Sequence, residues 1–242
     1  MTGAVTLVTG GSRGIGRTIV QQLVAEGRQV VFTYRADVTA ARLVEEACGG
    51  RAHGMALDLA DRDAPEAVVR HVEASLGPID GLVCNAGVSF SALAAMTADR
   101  DWDQTLDVNL GGAFRTCRAA VGPMVHRRRG AIVLMSSLAA VAGTPGQAAY
   151  AASKAALIGL SRTLAREVGR RHIRINTVLP GFVATDMTAG LSPQDVQRLR
   201  AHECLPAGTS PLDVAHAVSF LLSDQSAAIT GQCLVVDAGS SA

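Results

Sequence analysis

Lysine is almost missing from this chain. Of its 22 basic residues one, Lys154, is lysine and the rest are arginine. Cysteine is also sparse: five residues at 48, 84, 117, 204 and 233, odd in number and widely spaced, with no CxxC and no histidine pairing that suits a metal. That pattern is expected of reduced thiols in an intracellular protein and leaves no disulfide framework. The six histidines fall into no ligand spacing such as HExxH. No apolar stretch approaches the roughly 20 residues needed to span a bilayer. The N-terminus enters a strand-like run within a few residues, without the charged and apolar regions of a signal peptide. The formal charge is +1 and the arginines are scattered apart from 127–129 and 170–171, so no nucleic-acid surface is expected.

What is present is an alternation of two patterns. Apolar runs at 5–9, 29–34, 52–57, 81–84, 131–135, 173–178 and 234–236 are short and lack in-out alternation. Strands of that kind are buried on both faces, as in a parallel sheet. Helical periodicity fills 14–26, 38–47, 62–76, 99–125, 150–169 and 211–222. The expected fold is therefore α/β: a doubly wound Rossmann-type fold, one domain over 1–242, with a seven-stranded parallel sheet and helices on both faces. The irregular region after Pro180, with a short helix predicted over 193–202, would sit over the strand ends as a substrate lid at about 182–207.

The turn Thr9-Gly-Gly-Ser-Arg-Gly-Ile-Gly16 follows the first strand and opens the first helix. Glycines at 10, 14 and 16 suit a tight turn approached closely by a pyrophosphate, with Ser12, Arg13 and Ile15 between them and free N–H groups at the helix start. This is a dinucleotide site by context, although its spacing is GxxxGxG. The second strand ends on Tyr34-Arg35 with no acid at its tip. Two guanidinium groups, Arg13 and Arg35, would favour the 2′-phosphate of NADP(H). Asp37 stands at about the distance where an acid could instead hold the ribose of NAD, and is placed in the loop beyond the strand.

Tyr150 and Lys154 are i and i+4 on one helix face. A phenol is a poor acid–base catalyst at neutral pH unless its anion is stabilised, and a nearby ammonium would depress its pKa. A compact ammonium can also donate to ribose hydroxyls in a way a planar guanidinium would not. That accounts for lysine at one position of an arginine-rich chain. Ser137 lies thirteen residues earlier, just past a strand. Asn109 interrupts an apolar helical stretch, where its amide could simply bond its own helix, and Asn85-Ala86-Gly87 follows another strand as a turn.

Together these residues resemble the short-chain dehydrogenase/reductase family over the whole chain. The resemblance implies cofactor contacts from residues 9–16, from Asp58 and Leu59 near the adenine, from Asn85-Ala86-Gly87, and from Pro180, Gly181, Val183 and Thr185 near the nicotinamide. It implies a catalytic tetrad of Asn109, Ser137, Tyr150 and Lys154: Tyr150 as proton donor, Ser137 positioning the substrate oxygen, Lys154 setting the phenol pKa and binding ribose, and Asn109 holding a relay water. Ile229-Thr-Gly-Gln232 fits the family's C-terminal signature, and Cys84 replaces an asparagine common in relatives, with little effect expected.

Within the family the chain is most similar to 3-oxoacyl-(acyl carrier protein) reductases. The expected partner is then an acidic acyl carrier protein bearing a phosphopantetheine-linked 3-oxoacyl group, docked near the entrance by Arg128 and Arg171. A cytoplasmic homotetramer, or a dimer, is expected by the same likeness. Acetoacetyl-CoA reductase, polyketide or polyene ketoreductase, NAD-dependent secondary-alcohol dehydrogenase and a non-catalytic NAD(P)-binding scaffold stay open at this point.

Overall fold

A computed structural model describes residues 4–242. Seven strands, β1 (Val5–Val8), β2 (Gln29–Tyr34), β3 (Ala52–Ala56), β4 (Ile79–Cys84), β5 (Gly130–Met135), β6 (Ile173–Pro180) and β7 (Cys233–Val236), form one sheet. Its order is β3-β2-β1-β4-β5-β6-β7 and all six pairings are parallel. The chain reverses direction across the sheet between β1 and β4, which opens a crevice at their carboxyl ends.

The missing in-out alternation has a direct cause. Each strand divides its apolar residues between two layers, so both faces are covered. In β5, Ile132 and Leu134 point into one core with Val72, Cys117, Met124 and Leu157. Ala131, Val133 and Met135 point into the other with Ile19, Leu23, Val44, Val214 and Val218. Helices α3 (Ala64–Ser75), α5 (Ala113–Arg127) and α7 (Ala148–Val168) cover the first face, and α1 (Gly14–Ala25), α2 (Val38–Ala47) and α9 (Pro211–Leu222) cover the second. Each fully buried Leu or Ile in these layers contributes about 1.5–3 kcal/mol relative to exposure.

One helical expectation is corrected. The segment 99–125 is not a uniform helix: α4 (Asp99–Leu106) passes into a π-helical turn over Asp107–Gly112 and then into α5. A π turn accommodates an extra residue, and apolar spacing alone does not reveal it. A one-turn helix, α6 (Ala139–Ala142), follows β5, and the predicted helix 193–202 forms as α8 (Pro193–Arg200), started by Ser192, whose hydroxyl accepts from Asp195 N. The lid's base is closed by an isolated bridge between Val183 and Thr209. The C-terminal signature docks on β6: Asn176 Nδ2 donates to Ile229 O at 2.9 Å, and Thr230 Oγ1 accepts from Ile175 N at 3.1 Å. Among the described residues no helix is long and apolar enough to cross a membrane.

Candidate active site

The glycine turn sits at the carboxyl end of β1, and its glycines are required by contact as well as by conformation. Gly10 and Gly14 have φ of +68° and +55°, and a Cβ on Gly16 would lie 2.1 Å from the Gly10 carbonyl oxygen. Helix α1 starts on Gly14 with no side-chain cap from Arg13 and no acid in its first turn, so its N–H groups are left for an anion. Arg13 and Arg35 are exposed beside this turn, and neither has an ion pair among the described residues. Asp37 is committed elsewhere: its carboxylate caps α2, accepting from Ala40 N at 2.8 Å. These observations fit a phosphate-bearing dinucleotide.

Asn85-Ala86-Gly87 is more than a turn. Asn85 Nδ2 donates to Thr9 O at 3.1 Å and Gly10 O at 3.0 Å, while Thr9 Oγ1 accepts from the backbone N–H groups of Asn85 and Ala86. The segment after β4 therefore braces the glycine turn after β1. Across the crevice, a Cβ on Gly14 would lie 3.6 Å from Thr185 Cβ, so the root of the lid touches the same turn. Gly181, just past Pro180, has no room for a side chain: a Cβ there would lie 2.7 Å from Asp237 Cβ. Val183 is buried beneath the lid.

The tetrad residues converge at the junction of β5 and α7. Lys154 is buried and its Nζ donates to Met135 O at 2.7 Å, while Ser136 Oγ donates to Lys154 O at 2.8 Å. The Lys154 Nζ lies 5.6 Å from the centroid of the Tyr150 ring. Burial lowers the Lys154 pKa to about 8, with Cys84 opposing. Burial also raises the Tyr150 phenol above its ordinary value, and the Ser137 hydroxyl pulls it back in part. The expected net depression by Lys154 is not present: burial raises the phenol and Ser137 is the group that opposes it. The phenol is thereby kept protonated at neutral pH.

Asn109 is buried in the π turn, and its amide does not serve its own helix. Its Oδ1 accepts from Val88 N at 2.7 Å, and its Nδ2 donates to Val88 O at 2.9 Å and Ser153 Oγ at 3.1 Å. Ser153 in turn donates to Tyr150 O at 2.7 Å. A Cβ on Gly87 would lie 3.1 Å from Asn109 Oδ1 and 3.5 Å from Lys154 Nζ, so the turn after β4 closes over the pair. The π turn itself is held by Arg115, which is buried. It donates to Asp107 Oδ1 at 2.9 Å, Asp107 O at 3.1 Å and Leu59 O at 2.7 Å. One guanidinium thus ties the Asp58-Leu59 loop to the segment that presents Asn109.

Arg115, Ser136 and Ser153 escaped the sequence reading. A signal existed for Arg115, a charged residue in the helical stretch three positions after Gly112. Cys84 stands 3.8 Å from Cys117, sulfur to sulfur, inside the core. Its neighbour Cys117 and its burial hold its pKa well above the ordinary range, so it packs as a neutral thiol. Arg128 and Arg171 do lie together, with Arg128 Nη2 donating to Arg170 O at 3.4 Å. They are not near the crevice, however. They precede the amino ends of β5 and β6, whereas Ser137 follows the carboxyl end of the six-residue β5, a separation of about 20 Å.

Comparison with known proteins assigns the chain to a family. The family described as Enoyl-(Acyl carrier protein) reductase matches residues 10–241. The chain belongs to the short-chain dehydrogenase/reductase family. It is an oxidoreductase of that family, whose members bind NAD(P). The chain is 40% identical over 239 residues to 3-oxoacyl-(acyl-carrier-protein) reductase FabG of Escherichia coli (strain K12), covering 98% of this chain and 97% of the relative. It is 40% identical to the FabG of Salmonella typhimurium with the same coverage. The FabG of Staphylococcus aureus (strain Mu50) is 39% identical over 236 residues, 96% of each chain.

Proposed function

We propose that this protein is a cytoplasmic, NADPH-dependent reductase of 3-oxoacyl thioesters carried on acyl carrier protein, acting in fatty-acid or polyketide-type synthesis. The observation that carries the reading is the buried Lys154 held at the β5–α7 junction beside Tyr150 and Ser137, across the crevice from an open glycine turn. Relatives at 40% identity that bear the name 3-oxoacyl reductase support the substrate class.

NADP(H) would be held by the N–H groups of α1 and the glycines 10, 14 and 16, with Ser12 and Ile15 in the turn and Arg13 and Arg35 on the 2′-phosphate. Asp58, Leu59, Asn85, Ala86 and Gly87 would line the adenine and ribose side, and Pro180, Gly181, Val183 and Thr185 the nicotinamide side. When bound, it supplies the hydride equivalent that reduces the carbonyl. The chain's own residues do the rest. Ser137 donates to the substrate oxygen and fixes its direction, and Tyr150 delivers a proton as negative charge develops there. A phenol kept protonated by burial is suited to reduction at neutral pH. Lys154 places a positive charge beneath the ring and keeps two N–H groups beyond the Met135 bond for ribose hydroxyls. Asn109 fixes Val88 and, through Ser153, the first turn of α7.

Exposed Phe90, Leu93 and Met96 on one side, and Met187, Leu191 and Leu205 on the lid, offer apolar surface that suits an acyl chain. Arg128 and Arg171 are the proposed carrier contacts. Their distance from Ser137 makes a neighbouring subunit's crevice the one they would serve, in keeping with a proposed homotetramer. NADPH oxidation should be compared with a 3-oxoacyl group on carrier protein, on CoA and on a short thioester. Strong preference for the carrier protein, lost in Arg128→Glu, supports the reading. Equal rates on all three refute carrier specificity, and turnover of an unrelated secondary alcohol with NAD alone refutes the substrate class.

A further inference from the structure

A second concave site lies at the end of the sheet opposite the crevice. A cavity of about 780 Å³ opens among the amino ends of the strands, and four arginines line it: Arg28, Arg51, Arg129 and Arg174. Two carboxylates, Asp80 and Asp224, line it as well, which leaves an excess of two positive charges. Only one ion pair of 4.0 Å or less joins these groups, Arg129 with Asp80 at 3.3 Å. Arg28, Arg51 and Arg174 have none among the described residues.

The cluster is built rather than loose. Arg174 Nη1 donates to Leu221 O and Ser226 Oγ, both at 2.7 Å, and its Nη2 donates to Ser223 O at 3.0 Å. Its guanidinium is therefore held in place. Burial lowers its pKa, Asp224 raises it, and Arg28, which lines the same cavity, lowers it again. Asp80 is raised by burial and lowered by Arg129 and Arg28. Uncompensated charge of one sign in a concave wall is costly without a counter-ion. Two glycine turns, Gly27 and Gly50, with φ of +89° and +80° and open space beside each, form part of the wall and let a ligand approach the backbone.

We infer that this cavity is an anion site for a phosphate-bearing small molecule, separate from the dinucleotide crevice. An excess of two charges matches a phosphate monoester dianion, and guanidinium forks match phosphate oxygens in pairs. The volume exceeds what a single phosphate fills and leaves room for an organic group of nucleotide size. An acidic protein surface is the other anion of this charge, but a concave pocket at the strand ends suits a compact ligand better.

The test is calorimetric titration of the intact protein with inorganic phosphate and, separately, with ADP. Arg28→Gln/Arg51→Gln is compared with Arg13→Gln/Arg35→Gln, which removes charge only from the crevice. Both pairs are solvent-accessible, so each variant is expected to fold, as circular dichroism verifies. The site predicts at least about tenfold weaker binding in Arg28→Gln/Arg51→Gln, with binding largely kept in Arg13→Gln/Arg35→Gln and reductase turnover unchanged in the former. Phosphate as tight as ADP assigns the site to the free anion, and tighter ADP assigns it to nucleotides; both support it. Equal affinity in wild type and Arg28→Gln/Arg51→Gln overturns it, as does loss confined to Arg13→Gln/Arg35→Gln. Weakened carrier-protein binding with no phosphate binding overturns it in favour of a protein dock.

Discussion

Lys154 and Met135 are joined at 2.7 Å, the ammonium of α7 donating to the last carbonyl of β5, although nineteen residues separate them in the chain. The bond runs both ways along the junction, because Ser136 Oγ donates back to the Lys154 carbonyl. A buried ammonium with one protein acceptor is a strained arrangement for stability and a useful one for chemistry.

That arrangement predicts a trade between stability and activity. The folded pKa of Lys154, about 8, lies below its ordinary 10.5, so the charged form penalises folding at pH values below 8. The penalty fades as pH rises from about 8 towards 10.5, because the native state releases the proton first. The gap corresponds to about 3 kcal/mol, and loss of the bond to Met135 returns about 1 kcal/mol of it. Lys154→Met should therefore be more stable than wild type by about 2 kcal/mol at pH 7, with the advantage shrinking by pH 10. Urea denaturation at the two pH values measures this, and activity should be lost throughout.

The pH dependence of reduction follows from the same groups. With Tyr150 raised by burial and Lys154 at about 8, the first proton lost on the alkaline side is that of the lysine. Turnover per KM for the 3-oxoacyl substrate should fall as pH rises through about 8. The small residual activity of Lys154→Arg should lack that limb, since a guanidinium does not titrate there.

Much of this was legible before any coordinates. Seven apolar runs sized for buried strands became the seven strands, and Tyr150, Lys154, Ser137 and Asn109 lie around the β5–α7 junction. Other features depended on distance in space rather than spacing in the chain. The π turn at Asp107–Gly112 was hidden because an inserted residue leaves the apolar stripe nearly intact. The spacing of Asp37 left a ribose contact open, and its carboxylate instead caps α2. Arg128 and Arg171 were expected at the entrance, and only the polarity of β5 and β6 places them at the other end of the sheet.

Arg115 provides a test of how the π turn positions the site. Arg115→Met removes bonds to Leu59 O and both Asp107 acceptors, leaving buried acceptors unpaired. A loss of about 2–4 kcal/mol in stability is expected from breaking such a cluster. Cofactor Kd should rise several-fold through the Asp58-Leu59 loop, while kcat at saturating cofactor changes less. Arg115→Lys should not restore affinity, because a point charge cannot span the two carbonyls. Fluorescence titration and thermal unfolding read the two effects separately.

Gly16→Ala isolates the glycine turn. Its methyl would meet the Gly10 carbonyl oxygen at 2.1 Å, an atom of the backbone that cannot swing aside. Cofactor affinity should fall at least about a hundredfold, about 2.7 kcal/mol, by direct titration. Unchanged affinity would show that the turn does not hold the dinucleotide.

Tyr150→Phe tests the central claim most directly. NADPH oxidation with a 3-oxoacyl thioester should fall by about a thousandfold or more, within the range for losing a positioned proton donor. Cofactor affinity should stay within a few-fold of wild type, since the phenol oxygen is not what holds the dinucleotide. Turnover close to wild type in that variant would contradict the assignment of Tyr150, and with it the explanation for the only lysine in the chain.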